Sequence, residues 1–217
     1  MNVEQARFNM IEQQIRPWDV LDTSVLALLS AVRREDFVPA AHKAQAFMDL
    51  EIPLGGGRFL LAPRVEARMV QDLSLSKRDT VLHIGAGTGY VTALLAHKAQ
   101  RVIGLESDAA LATAARAHLR NAAVNNAEIV QADGSTGYTA QAPFDAIVLT
   151  GSVAKVPQNL LDQLKTGGRL LAIVGDEPVM QAILYTRTSD TQFSSQALFD
   201  TVAARLAGFT EPSRFQF

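Results

Sequence analysis

The chain has 217 residues, of which 48% are apolar, so it is long enough to form one large domain with a sizeable core. Its net charge of −2 gives no reason to expect a nucleic acid or an anionic membrane as partner, because both bind basic surfaces. The absence of cysteine excludes disulfides, thiolate metal sites and thiol catalysis, and it fits a cytoplasmic enzyme. We expect a monomer or weak dimer.

The first part of the chain is predicted to form a helical cover. Phe8, Ile11 and Ile15 share a helical face, and Pro17 ends that helix. Asp22 or Thr23 is a suitable cap for a second helix, whose apolar residues are Val25, Leu26, Leu29 and Val32. A loop-rich passage follows from residue 36 to residue 63, and a third helix is expected from Arg64 to about Leu75. The polar start of the chain does not resemble a secretion signal, and no apolar stretch is long enough for a membrane span.

From Thr80 onward, strands alternate with helices. The predicted strands lie near residues 80–85, 101–106, 127–131, 144–150 and 168–174. This alternation is typical of a doubly wound, Rossmann-like α/β sheet that is mostly parallel. Residues 182–187 and 196–201 are spaced like an antiparallel pair, and residues 214–217 like a short edge strand. We expect residues 1–78 to pack on a core of residues 79–217 as one compact domain.

A glycine turn follows the first of these strands. The pattern Gly85-x-Gly87-x-Gly89 ends an apolar run and opens a helix, so bare backbone approaches a ligand. Glu106 ends the second strand 21 residues after Gly85, where a parallel neighbour presents it to ribose hydroxyls. Asp133 and Gly134 follow the third strand. Because the carboxyl ends of parallel strands meet at one edge, these residues predict a nucleoside site.

The spacing of the glycines favours S-adenosylmethionine, which has no phosphate, over a dinucleotide bound by G-x-G-x-x-G. In this interpretation Glu106 accepts hydrogen bonds from the ribose diol, and Asp133 accepts one from the adenine amino group. The alternative for Asp133 is a cap of the next turn, and a glycine turn alone can be purely structural. The predicted cofactor-binding set is His83, Gly85, Ala86, Gly87, Thr88, Gly89, Glu106, Asp133 and Gly134.

Several further segments share the pattern of one family. They are Ala31-Val-Arg-Arg-Glu-Asp-Phe-Val38, Ile52-Pro-Leu-Gly55-x-Gly57, Pro63 with Ala67-Arg-Met69, Val81 to Tyr90, Asp133-Gly134, Pro143 to Thr150, and Gly167-Gly-Arg-Leu-Leu171. Over nearly its whole length the chain resembles the protein-L-isoaspartate O-methyltransferases, which are class I S-adenosylmethionine-dependent enzymes. The glycine turn is shared by many methyltransferases, whereas the Pro-Leu-Gly-x-Gly loop before it is much more specific.

The resemblance implies a repair activity. Such enzymes transfer the methyl group of S-adenosylmethionine to the carboxylate of an isoaspartyl residue in a damaged peptide or protein, and they release S-adenosylhomocysteine. A carboxylate with an ordinary pKa of about 4 is ionised at neutral pH and needs no general base. Catalysis is then mainly the positioning of the nucleophile, the methyl group and the sulfur, so no catalytic residue is assigned.

The predicted substrate-side residues, Arg58, Phe59, Leu61, Thr150 and Ser152, include departures from the family pattern. The family's Gln-Thr-Ile-Ser after the Gly-x-Gly loop is Arg58-Phe-Leu-Leu61 here, so two hydroxyls are lost. Burying a carboxylate without donors is costly. One hypothesis is that Arg58 clamps the acceptor carboxylate in their place. The alternative is a surface arginine. Ser152 supplies a compensating hydroxyl or is only a turn residue.

His83 is a second departure, because the family has an acid there that helps to orient the methionine end of the cofactor. An uncharged His83 would weaken that contact and make cofactor affinity vary with pH. The alternative is a strand histidine with local hydrogen bonds. The other histidines, His42, His97 and His118, show no ligand spacing, so no metal is predicted.

Three functions are therefore open. The first is methylation of isoaspartyl sites. The second is methylation of another acceptor, such as a small apolar or phenolic molecule, which Phe59, Leu60 and Leu61 would suit better. The third is a cofactor-binding module that transfers no methyl group.

Overall fold

The computed structural model describes residues 2–211, and it begins with the predicted helical cover. Helix α1 (Val3–Met10) continues into a π-helical turn (Ile11–Ile15) and a 3-10 turn (Arg16–Trp18), and α2 spans Thr23–Ala31. The carboxylate of Asp22 accepts hydrogen bonds from the amides of Ser24 and Val25, so Asp22 is the cap. Among the described residues, no helix is long and apolar enough to cross a bilayer.

The predicted apolar face of the first helix is wrong at one position. Phe8 is 58% exposed, and the buried side chains are Met10, Ile11 and Ile15. A π-helical turn advances by a smaller angle per residue than an α-helix. The turn therefore moves Ile15 away from the side of Phe8 and towards that of Met10.

The loop-rich passage contains a β-hairpin that was not predicted. Strands β1 (Ile52–Gly55) and β2 (Arg58–Leu60) pair antiparallel. Gly55, Gly56 and Gly57 all have positive φ, which the tight connection requires. Helix α3 (Pro63–Asp72) follows and starts with Pro63 in its first turn, where the fixed φ of proline favours a helix.

The remaining strands form one seven-stranded sheet in the order β5-β4-β3-β6-β7-β8-β9. Pairs from β5 to β7 are parallel, and β8 and β9 are antiparallel, which confirms the predicted fold class. The strands are β3 (Thr80–Ile84), β4 (Arg101–Glu106), β5 (Ala127–Gln131), β6 (Phe144–Val153), β7 (Leu164–Asp176), β8 (Val179–Arg187) and β9 (Phe193–Asp200).

Each face of the sheet has its own apolar core. Helices α4 (Tyr90–Lys98) and α5 (Ala109–Asn121) cover one face together with the N-terminal helices, and the short α6 (Gln158–Leu161) covers the other. Along β3, Val81 belongs to the first core and Leu82 to the second, as the alternation of side chains in a strand requires. Between β5 and β6 the described chain forms only 3-10 turns, Gly134–Thr136 and Thr139–Gln141.

After β9 the chain returns to the carboxyl ends of the parallel strands. The amide of Ser152 donates to the carbonyl of Ala204 at 2.8 Å, and the amide of Leu206 donates to the carbonyl of Ser152 at 3.0 Å. Residues 203–209, called the C-terminal segment below, are thereby attached to β6. The predicted edge strand at residues 214–217 lies outside the described residues.

The single tryptophan connects the helical cover to the last strand. Trp18 is partly buried and meets the ring of Phe199 edge-on, with 5.3 Å between the centroids. The guanidinium of Arg64 lies 4.6 Å from the centre of the Trp18 ring. Trp18 therefore packs between the helical cover and β9.

Candidate cofactor and acceptor site

A cleft opens at the edge of the sheet where β3, β4, β5 and β6 end. It encloses about 610 Å³, part of which is open to solvent. This is the position at which open α/β sheets bind ligands. The lining residues come from the hairpin, the strand ends and the C-terminal segment: Leu54, Arg58, Phe59, Leu61, Ile84, Gly85, Gly87, Leu105, Glu106, Ser107, Ala132, Gly134, Thr150, Gly151, Ala204, Arg205, Leu206, Ala207 and Phe209.

The glycine turn forms part of the floor of the cleft. Gly85, Gly87 and Gly89 have φ values of +82°, +54° and +90°, which L side chains rarely adopt. The amides of Gly85 and Ala86 both donate to the carbonyl of Leu105 at 3.0 Å, which joins the turn to β4. A Cβ atom on Gly89 would lie 3.2 Å from that of Ala115, so this glycine allows α4 to pack against α5.

Glu106 lies beside the turn with only 4% of its surface exposed. One carboxylate oxygen accepts from the amide of Gly87 at 2.7 Å, and the other accepts from the amide of Asp108 at 2.9 Å. A carboxylate has about four lone-pair sites, so each oxygen can accept one more hydrogen bond. Glu106 therefore lies at the edge of the cleft with acceptor sites left over, and its contact with a ribose diol stays a prediction.

Asp133 and Gly134 differ in their relation to the cleft. Gly134 lines it, and a Cβ atom there would lie 2.3 Å from the Cγ2 atom of Ile84. Asp133 is exposed, and its carboxylate accepts from the amide of Ser135 at 2.9 Å, which caps the following 3-10 turn. The capping role weighed for Asp133 is thus present, and an adenine contact through its other oxygen stays a prediction.

The remaining members of the turn are buried. Ala86 is 4% exposed and Thr88 is 2% exposed. The carbonyl of Thr88 accepts a hydrogen bond from Nδ1 of His118 at 2.8 Å, which ties the turn to α5. These two residues therefore shape the turn rather than reach into the main cleft.

His83 is fully buried and lies in a chain of hydrogen bonds. Its Nδ1 is 2.8 Å from the hydroxyl of Thr92, and its Nε2 is 2.8 Å from the hydroxyl of Thr150. The Thr150 hydroxyl donates its only hydrogen to the carbonyl of Gly85 at 2.7 Å. Nε2 must therefore donate to Thr150, and Nδ1 accepts from Thr92. Burial lowers the pKa of His83 to about 3, so the ring is neutral at physiological pH.

The local hydrogen bonds of His83 correct the expectation of a pH-sensitive cofactor contact. A ring that stays neutral from pH 5.5 to 8 cannot make affinity vary with pH in that range. Thr150 also has a defined role in the structure. Its hydroxyl orients the Gly85 carbonyl and is not free to bind an acceptor.

The acceptor loop, residues 58–61, forms an apolar wall that carries one cation. Phe59 is 38% exposed and Leu61 is buried, and the Leu61 carbonyl accepts from Arg34 at 2.6 Å. The guanidinium of Arg58 lies 3.8 Å from the Glu106 carboxylate and 3.9 Å from that of Asp108. These distances are long for ion pairs, so Arg58 is held loosely at the mouth of the cleft.

Ser152 does not supply the compensating hydroxyl that was considered for it. The side chain is fully buried, and its hydroxyl donates to the carbonyl of Ala203 at 2.7 Å and accepts from Arg205 at 3.2 Å. Both partners belong to the C-terminal segment. Ser152 therefore attaches that segment to β6, because the burial of its hydroxyl requires internal partners.

Two contributions to the site were not predicted from the sequence. The first is the C-terminal segment, in which Leu206 lies so close to the glycine turn that a Cβ atom on Gly85 would be 2.6 Å from its Cδ2 atom. Its apolar residues match no motif. The second is Glu66, which lines a smaller cavity behind the glycine turn, of about 240 Å³ when space open to solvent is included. It lies on α3, a helix that was predicted without any role in the site.

Comparisons with known proteins agree with this geometry. The model of the family described as Protein-L-isoaspartate(D-aspartate) O-methyltransferase matches residues 5–206. A protein-L-isoaspartate O-methyltransferase of Herpetosiphon aurantiacus is 39% identical over 85% of this chain and 82% of its own. The Methanoculleus marisnigri protein of the same name is 41% identical over 79% of this chain and 78% of its own.

Solved structures show the same fold. A Plasmodium falciparum protein, proposed to be such a methyltransferase and solved with S-adenosyl-L-homocysteine, superposes with a TM-score of 0.76. It is 19% identical and covers 94% of this chain and 99% of its own. A structure described as a protein-L-isoaspartate O-methyltransferase has a TM-score of 0.80 at 23% identity, over 93% of this chain and 66% of the other.

Proposed function

Because the chain belongs to the protein-L-isoaspartate(D-aspartate) O-methyltransferase family, we propose that it transfers a methyl group from S-adenosylmethionine to isoaspartyl carboxylates in damaged proteins. The observation that carries the proposal is the cleft at the strand ends, where Glu106 is oriented by backbone amides beside the bare backbone of Gly85 and Gly87. The proposal includes a cytoplasmic location, which a chain without cysteine fits, and a monomer or weak dimer as the acting form.

The residues of the cleft fit the parts of this cofactor. Glu106 would accept hydrogen bonds from the ribose diol, and the backbone of Gly85 and Gly87 would lie against the chain that joins the ribose to the sulfur. Ala132 and Gly134, which line the cleft, would contact the adenine, and the exposed Asp133 between them would accept a hydrogen bond from its amino group. Ala86, Thr88 and Gly89 maintain the shape of the turn.

Methyl transfer needs the acceptor carboxylate to be positioned against the methyl group in apolar surroundings. When bound, S-adenosylmethionine supplies an electrophilic methyl group on a sulfonium and leaves as S-adenosylhomocysteine. A carboxylate is ionised without a base, and its negative charge is cancelled as the ester forms. The wall of Leu54, Phe59 and Leu61 is apolar, which suits a reaction that consumes two opposite charges.

Recognition of the acceptor carboxylate is assigned to Arg58. Two cations line the cleft among the described residues, Arg58 and Arg205. Arg205 is occupied by the carbonyl of Gly175 at 2.6 Å and by the carboxylate of Asp176. The contacts of Arg58 are 3.5 Å or longer, so it is the cation that can turn towards an acceptor.

A second candidate is methylation of a small apolar or phenolic acceptor, which the exposed ring of Phe59 favours. One experiment separates the two. The protein is incubated with methyl-labelled cofactor and matched peptides that contain either isoaspartate or aspartate, and labelled ester is measured. Label on the isoaspartyl peptide alone is the expected result. Cofactor binding without label on either peptide would reject isoaspartyl activity and support the second candidate or a module that binds without transfer.

A Glu106→Ala variant is the control for this assay. It removes the carboxylate that faces the ribose and leaves the acceptor wall intact. We expect loss of label because the cofactor no longer binds, which calorimetry with S-adenosylhomocysteine would show directly.

A further inference from the structure

A small cavity adjoins the main cleft on the side of α3. The two share Leu54, Phe59, Leu61, Gly85, Gly87 and Thr150 as lining residues, so the glycine turn separates them only partly. Among the described residues that line the two cavities, the acidic ones are Glu106 in the main cleft and Glu66 in the small cavity. Glu66 is 1% exposed.

Glu66 has one oxygen paired and one oxygen unpaired. Its Oε2 accepts from Nε of Arg34 at 3.1 Å, whereas its Oε1 is buried and has no hydrogen-bond partner within the described chain. The other Arg34 nitrogens donate to the carbonyls of Ala46 and Leu61 at 3.1 and 2.6 Å. Arg34 therefore leaves Oε1 unsatisfied. A buried acceptor in this state is rare in folded proteins and points to a missing donor.

The missing donor has a natural candidate in the amino acid portion of the cofactor. That portion carries an α-ammonium group, which has three donors and a positive charge and needs an acidic partner in a buried site. Glu106 is committed to the ribose end, and His83, which lines the small cavity, is a neutral ring with both nitrogens hydrogen-bonded. Glu66 is the remaining acid.

We propose that Glu66 is the counter-ion of the α-ammonium group of the bound cofactor, accepting its hydrogen bond at Oε1. The inference rests on the proposed cofactor and assigns a positioning residue that the glycine-turn pattern does not contain. Glu66 then lies between two cations, the guanidinium of Arg34 and the ammonium. This arrangement fixes the methionine end and thereby the direction of the sulfonium relative to the acceptor wall.

The test compares two ligands that differ in the amino acid portion. S-adenosylhomocysteine carries the α-ammonium group, and 5′-methylthioadenosine lacks it. Isothermal calorimetry of Glu66→Gln should show S-adenosylhomocysteine binding weakened roughly tenfold to a hundredfold, as expected for a lost charge-assisted hydrogen bond. Binding of 5′-methylthioadenosine should stay within about twofold of the unsubstituted protein.

The matched control is Glu51→Gln. Burial raises the pKa of Glu66, and the neighbouring acid Glu51 adds to that rise, but Glu51 does not line either cavity among the described residues. It should leave both affinities unchanged. Equal affinity of Glu66→Gln and the unsubstituted protein for S-adenosylhomocysteine would overturn the assignment of Glu66 alone. If the unsubstituted protein bound neither ligand, the proposed function itself would fail.

A second set of variants avoids the unpaired Arg34 that Glu66→Gln creates. In an Arg34→Met and Glu66→Val background the buried ion pair is replaced by apolar side chains, an exchange that proteins often tolerate. Adding His83→Glu returns an acid to the same cavity. We expect this addition to recover at least about tenfold in S-adenosylhomocysteine affinity. Unchanged weak binding, with 5′-methylthioadenosine still bound, would contradict the proposal.

Discussion

At the scale of single residues, His83 shows how a neutral side chain can define a turn. Its Nε2 donates to Thr150, whose hydroxyl in turn fixes the Gly85 carbonyl. Because burial lowers the pKa of His83 from 6.5 to about 3, the folded protein resists protonation that the unfolded chain accepts. Its contribution to the free energy of unfolding is complete above about pH 6.5 and is lost as the pH falls towards 3.

We therefore expect the free energy of unfolding to decrease with acidification more steeply in the unsubstituted protein than in His83→Gln. The difference should be about 1.4 kcal/mol per pH unit between pH 6 and 4. Urea unfolding at a series of pH values measures it. A His42→Gln variant, altered in a surface 3-10 turn, should keep the slope of the unsubstituted protein. Identical slopes for His83→Gln would refute the buried neutral ring.

Arg58 gives the second prediction at this scale. Arg58→Ala should lower kcat/KM for an isoaspartyl peptide by at least about tenfold, because a buried carboxylate would lose its only mobile cation. Affinity for S-adenosylhomocysteine should change less than about threefold, since the 3.8 Å contact with Glu106 is long and partly exposed. Arg58→Lys is the matched control and should be intermediate, because it keeps the charge and loses the bidentate geometry. Full activity in Arg58→Ala would refute the hypothesis that Arg58 binds the acceptor carboxylate.

The sequence was sufficient to predict the positions of residues that backbone geometry places at the cleft. Gly85, Gly87 and Glu106 are recognisable because strand ends and glycine spacing determine where they lie. Ser152 and Glu66 could not be assigned in this way. Their partners, Arg205 and Arg34, come from distant parts of the chain, and hydrogen bonds between distant segments leave no local pattern in the sequence.

At the scale of elements, the C-terminal segment is held by few but specific contacts. Backbone hydrogen bonds connect Ser152 with Ala204 and Leu206, and Arg205 joins Ser152, Gly175 and Asp176. Arg205→Ala should loosen the segment without unfolding the sheet. Hydrogen exchange should become faster at the amides of Ser152 and Leu206, while the amides of β3 stay protected. Arg101→Ala, in the exposed pair with Glu128, should change neither. Unchanged exchange in Arg205→Ala would show that the backbone hydrogen bonds alone hold the C-terminal segment on β6.

Some elements could be predicted from the sequence and others could not. The alternation of strands and helices was sufficient for the parallel sheet. Strand β6 runs on to Val153 because Ser152 and Val153 pair with Ile173 and Val174 of β7 after an irregularity in the register, which the apolar pattern of the sequence does not reveal. The hairpin of β1 and β2 was missed because its glycines indicate a loop, and only the pairing of Ile52 with Leu60 reveals strands.

At the scale of the whole molecule, the helical cover shares one core with the face of the sheet that it covers. Buried residues such as Val25 and Leu29 of α2 belong to the same apolar cluster as Leu94 and Leu95 of α4. We expect residues 1–78 and 79–217 to unfold in one transition, as small single domains do. The fluorescence of Trp18 reports on the cover, and far-ultraviolet circular dichroism reports on the whole chain. Coincident urea transitions are the expected result, and an earlier fluorescence transition would indicate a separate N-terminal unit.

The contact between Trp18 and Phe199 joins an early helix to the last strand of the sheet. On the ribosome, Trp18 emerges long before its partner has been translated. The face of Trp18 that meets Phe199 must therefore stay in water until β9 has left the exit tunnel. Such a chain completes its folding only near the end of synthesis, and during that interval its first helices are natural clients for a chaperone.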